Sequence, residues 1–153
     1  MKKLFLLLLL LTTPAFAKDK GITVYIGYAE TDGLVSNGIK DSAKDVADAV
    51  SKKGFSIVSN KADADIILTV TGRKSSFEKE GSQSMGYGIS KDTYAETRVV
   101  LVRLESGSFS EVIDGAITSQ LASWRSCAGV VAKYLDNWVK SNRDELLKRR
   151  PPQ

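Results

Sequence analysis

The chain has 153 residues, 22 Lys and Arg against 18 Asp and Glu for a formal net charge of +4, one cysteine and no histidine. Lack of histidine removes the usual general base, the commonest zinc ligand and the simplest switch near neutral pH. A single cysteine excludes a disulfide within the chain, and so mild a positive charge is no signature of a nucleic-acid partner.

At the start of the chain, Met1-Lys2-Lys3 is basic, Leu4 to Leu11 is an unbroken apolar run, and Ala15-Phe16-Ala17 has the small-x-small pattern that a signal peptidase reads. The run is far shorter than the roughly 20 residues needed to span a bilayer. Residues 1–17 are therefore expected to be a signal peptide, cut between Ala17 and Lys18, with the product delivered to the periplasm or secreted. Removing 17 residues leaves 136 with a net charge of +2, and no further apolar run is long enough to anchor them. That is one domain, 18–150, with 151–153 as a tail. A domain of this size buries about two-thirds of its unfolded surface and needs no staple.

Ile22 to Ile26 alternates like a strand and ends at Gly27. After the turn-like Glu30-Thr31-Asp32-Gly33, Val35, Ile39, Ala43, Val46 and Val50 fall three and four apart. They form one stripe of an amphipathic helix that Gly54 is placed to end. Phe55 to Val58 is a brief strand and Ala64 to Thr71 a longer one. Gly72 to Asp92 turns to Gly, Ser, Lys and Glu, which reads as a loop of about 20 residues. Thr93 to Glu105 is the strongest strand signal, and its centre, Val99 to Val102, is apolar on both faces as suits an inner strand. Ser106-Gly107-Ser108 turns it into Phe109 to Thr118. Trp124, Ala128, Val131, Leu135 and Trp138 then stripe a final helix that runs to about Lys148, before Pro151-Pro152 stops it.

The order β-α-β-β-β-β-α predicts an α+β fold, a two-layer sandwich. A parallel crossover at the start and antiparallel hairpins later make a mixed sheet, with two one-striped helices on one face. The other face, with Thr69 and Thr71, is the wetter one. Trp124, Cys127, Val131 and Tyr134 share helical spacing, so Cys127 reads as a buried structural thiol rather than a reactive one.

The first strand and its Gly-terminated helix lead to Ala62-Asp63-Ala64-Asp65-Ile66-Ile67-Leu68, a loop, and a long strand through Tyr94-Ala95-Glu96. This order resembles the small α/β domains of bacterial envelope assembly lipoproteins, of the lipopolysaccharide-assembly and curli-secretion types. It is also similar to exported proteins ending in a Trp-rich helix. Where those two lipoprotein families carry an acylated cysteine, this chain has Lys18. The resemblance implies an accessory or binding role without cofactor.

Among motifs that carry chemistry, Ser76-Phe77-Glu78-Lys79 fits Ser-x-x-Lys, in which a lysine activates a serine, but the Ser-Asp-Asn and Lys-Thr-Gly companions are missing. A small exported hydrolase using Ser76 and Lys79 is the alternative reading. Asp63 and Asp65 lack the Gly and distal Glu of a calcium loop, and Asp41, Asp45 and Asp48 alternate with lysines as a solvated face does. No metal site is expected. The preferred site is the Gly72–Asp92 segment, where Phe77, Met85, Tyr87 and Ile89 offer bulky contacts for an envelope protein; the other reading of the segment is a hairpin whose strands extend further, with these side chains packed at its tip. Arg73, Lys74, Lys91 and Arg98 are expected to gather where the strands meet this segment, and to attract anionic envelope polymers or headgroups. Their bland reading is edge charge that discourages strand pairing. Composition does not fix the oligomeric state, and a structural, self-associating protein is a third possibility.

Overall fold

A computed structural model describes residues 21–29 and 37–149. The signal-peptide reading, Val35, the Glu30–Gly33 turn and Pro151-Pro152 lie outside these residues. Strand β1 (Thr23–Tyr28) is followed by helix α1 (Asn37–Lys52), strand β2 (Ser56–Val58) and a 3-10 turn (Lys61–Asp63). Strands β3 (Ile66–Gly86), β4 (Ile89–Ser106) and β5 (Phe109–Ser119) and helix α2 (Trp124–Lys148) complete the chain. The sheet order is β2-β1-β3-β4-β5, parallel for β1 with β2 and β3, antiparallel for β3-β4 and β4-β5. It is the expected α+β sandwich with a mixed sheet and both helices on one face.

The core follows from period. Ile22, Val24, Ile66, Leu68, Val70, Val100, Val102 and Leu104 alternate along their strands toward the helices and are fully buried. They meet Ala43, Val46 and Val50 of α1 and Cys127, Ala128, Val131 and Leu135 of α2. Gly54 ends α1 in the left-handed region at φ 85, where its N–H donates to Ser51 O at 2.9 Å. Ser123 caps α2 by accepting from Ser126 N at 3.1 Å. The β1–β3 register is locked by Asp65, whose carboxylate accepts from Thr23 N at 2.8 Å and Thr23 Oγ1 at 2.9 Å. Asp65 thus serves a strand junction.

Cys127 is buried, and its Sγ lies 3.2 Å from Arg98 O. Burial pushes its thiol pKa up. The folded chain therefore holds the thiol protonated to higher pH than the unfolded chain does. Its contribution to stability is full below about pH 8.5 and falls as pH rises above that. Labelling by a thiol reagent at pH 8 is expected to run at least about 100-fold slower in buffer than in denaturant. Equal rates would show an accessible thiol.

Of the two readings of the Gly72–Asp92 segment, the loop fails and the extended hairpin holds, although its bulky side chains are exposed and not packed. The segment from Gly72 to Asp92 is not a loop: β3 and β4 continue through it as a hairpin paired down to Gly86 and Ile89. Register shifts at Val70/Gly72, Lys79/Gly81 and Ser84/Gly86 account for three glycines on this strand. Glycines that look like breakers sit at bulges and beside the turn, where they are tolerated. Tyr87-Gly88 is the turn, both residues having positive φ, 51 and 75.

Candidate functional site

β5 reaches only as far as Glu96, where Ser119 pairs with it. Beyond that point β3 and β4 run on as a two-stranded arm, and Glu78 to Gly86 carries its tip about 25–30 Å past the end of β5 at strand rise. No described strand pairs the outer edge of β3 beyond Val70. A hairpin with no third strand is marginal in water. This one is rooted in the sheet and braced along its length. Lys79 Nζ lies 2.8 Å from Asp92 Oδ1, Thr93 Oγ1 donates to Gly81 O at 3.4 Å, and Gln120 Nε2 donates to Glu80 Oε2 at 3.2 Å. The Lys79 hydrogen bond, then that of Ser82, holds the Asp92 carboxyl below its ordinary pKa.

The four bulky residues singled out from the sequence all lie on this arm and all face solvent: Phe77 is 69% exposed, Met85 62%, Ile89 65% and Tyr87 105%. They form two groups. Phe77 stands near the root, opposite Glu96, whereas Met85, Tyr87 and Ile89 surround the turn. Tyr94, exposed and opposite Lys79, is a further aromatic that sequence reading placed in a strand without assigning it to the site.

The four basic residues do not gather. Neighbours on a strand point to opposite faces, so Arg73 turns toward the helices and Lys74 away. Arg73 Cζ sits 3.8 Å from the centroid of the Trp124 ring, and Arg98 Cζ 5.1 Å from the same ring. Burial lowers the pKa of Arg73, against the pull of Asp41, and Gly38 of α1 lies directly against its guanidinium. Arg98 is held by Glu96 Oε1 at 2.7 Å, a hydrogen bond that raises its pKa. These two arginines thus clamp the arm's root onto the first residue of α2. Lys74 lines a shallow hollow with Ser76, Thr97 and Val99, and Lys91 lies far out along the arm opposite Gln83. Trp124, the residue that organises the root, entered the sequence reading only as part of a helix stripe.

Ser76 and Lys79 are not brought together. Three positions apart on a strand, they emerge on opposite faces, Ser76 opposite Thr97 and Lys79 opposite Tyr94. No group of three or more metal-ligating side chains occurs among the described residues, and no helix there is long and apolar enough to cross a membrane.

No family model matches the chain, and no curated protein does. Solved structures to which it is similar include three bacterial proteins. A neuraminyllactose-binding hemagglutinin homolog from Helicobacter pylori is 10% identical over 90% of this chain and 93% of that one, with a TM-score of 0.46. A minor lipoprotein from Acinetobacter baumannii is 12% identical over 79% and 94%, with a TM-score of 0.47. The rare lipoprotein B from Shewanella oneidensis is 12% identical over 82% and 91%, with a TM-score of 0.35.

Proposed function

We propose that the chain is an exported, non-catalytic accessory protein of the cell envelope that binds a protein or another envelope component through its β3–β4 arm. The observation that carries this reading is the arm itself. Past Glu96 it buries only the small Ala95 and adds no residue to the core cluster, and it bears exposed bulky side chains from root to tip. A segment that costs ordering entropy and buries little is retained for what it touches. Export is supported by the basic, apolar and small-x-small succession of residues 1–17.

The test has two parts. Replacing Lys79–Tyr94 by Asn-Gly, a dipeptide suited to a two-residue hairpin turn, is expected to leave the melting temperature within about 3 °C. In the native host, a photo-crosslinking residue at Phe77 or Tyr94 is expected to capture a discrete adduct. The same probe at Leu121, exposed but off the arm, is expected to capture none. Absence of any adduct from both arm positions would overturn the reading, as would capture from Leu121 alone.

A further inference from the structure

We propose that the tip of the arm enters the interfacial layer of a lipid membrane, with Met85, Tyr87 and Ile89 seated between headgroups and acyl chains. This rests on the arm being the binding element and names what its far end takes.

The turn itself is the first observation. Tyr87 occupies the first central position of a two-residue turn with φ at 51, where Asn, Asp or Gly is the ordinary choice. A non-glycine residue there is disfavoured, and a Tyr whose ring touches nothing gains no packing in return. A locally unfavourable residue held in full exposure points to a contact outside the chain. Its immediate neighbours with bulky side chains, Met85 and Ile89, are also exposed.

Charge and shape select the partner. From Gly81 to Lys91 there is no acidic residue, and Lys91 is the single charge. An aromatic ring with a polar end, flanked by apolar side chains and one lysine, is the composition that settles at a lipid boundary, where Lys can reach an anionic headgroup. A stable protein interface asks for roughly 800 Å² from each partner. Three side chains around a two-residue turn offer a few hundred at most, given about 150–250 Å² for a large aromatic. The tip is also convex, and fluid lipid surrounds a convex apolar point without a matching pocket.

The same residues set the depth. Below the turn, Ser82, Gln83, Ser84, Ser90 and Asp92 leave neither face of the arm apolar, so the arm does not span a bilayer. The apolar cluster of the tip is bounded by Met85 and Ile89, with polar residues next below it, which suits burial of about 5–10 Å. Pairing continues to Gly86 and Ile89, so the inner-edge backbone groups of the hairpin are satisfied, and shallow seating leaves the outer-edge groups in the hydrated headgroup layer.

Co-flotation with vesicles of phosphatidylethanolamine and phosphatidylglycerol tests this, using the chain from Lys18 onward so that the apolar leader does not itself bind. The wild-type chain is expected to float with the vesicles. A Met85→Ser, Tyr87→Asn, Ile89→Ser variant is expected to lose at least about tenfold of that binding. Its melting temperature should hold or rise, because Asn suits the turn. Lys91→Gln should weaken binding a few-fold on these vesicles and leave it unchanged on phosphatidylcholine. A wild-type chain that stays with the bulk, or a triple variant that floats equally well, overturns the proposal. If the wild type fails to float while a crosslinker at Phe77 or Tyr94 captures a protein, the arm keeps its binding role and the lipid assignment falls. If neither occurs, both readings fall.

Discussion

Gly115→Ala is expected to lower the melting temperature by about 5–10 °C, whereas Gly129→Ala raises it slightly. The two glycines lie near each other in the fold but meet opposite surroundings. Gly115 is in the middle of β5, packed directly against α2. A Cβ built there stands 2.6 Å from Val131 Cγ2 and 2.7 Å from the backbone oxygen of Cys127. The valine can rotate, but the carbonyl belongs to the helix and cannot yield without moving α2. Overpacking of this kind costs about 1–3 kcal/mol, and Gly115→Val should cost more because its added methyls have nowhere to go. Gly129 is in α2, and a Cβ built there meets nothing within 4 Å. Alanine at that position removes backbone freedom from the unfolded chain and gains about 0.5–1 kcal/mol. Thermal unfolding of both variants checks the pair. Equal shifts of one sign would mean that β5 and α2 do not approach as closely as this.

What the sequence made legible was whatever burial on one face stamps on it. The stripe Ala43, Val46, Val50 and the stripe Ala128, Val131, Leu135 declared both helices, because each buries one side only. Val99 to Val102 declared an inner strand, because both of its faces are covered or half covered. The outer half of β3 carries no such stamp. From Lys74 to Gly86 nearly every residue is exposed, so no period of two appears. Its glycines at bulges look the same as glycines in a loop. The partner that makes it a strand is β4, and pairing leaves no mark in composition. The clamp at the root was hidden for another reason. Arg73 and Trp124 are joined by topology alone, since β5 has to be traversed before α2 returns to the arm. What could have been read is the alternation itself: Arg73 and Lys74, if on a strand, cannot serve one surface patch.

Trp124→Ala is the substitution expected to join stability to the arm. The ring packs against the core on one side and carries the Arg73 guanidinium at 3.8 Å on the other. Its loss should cost about 2–4 kcal/mol, below the full cost of a buried Trp because the ring is only partly covered, and lower the melting temperature by about 10 °C. The informative readout is local. With the ring gone, Arg73 has no platform and Arg98 keeps only Glu96, so hydrogen exchange should quicken at Arg73–Phe77 and Glu96–Arg98. Exchange at Ile66, Leu68 and Val70, further into the core, should rise only with the global loss. Trp124→Phe keeps a ring and should retain most of the protection. Arg73→Met keeps a stem on the indole and removes the charge, for a loss of about 0.5–2 kcal/mol, as expected of a half-buried cation–π contact. A uniform rise in exchange across β3 would reduce Trp124 to core filling. A rise confined to the root, together with weakened binding well below the melting temperature, would make the tryptophan the residue that positions the arm. A two-stranded projection with polar sides has little other means of holding its tip in place.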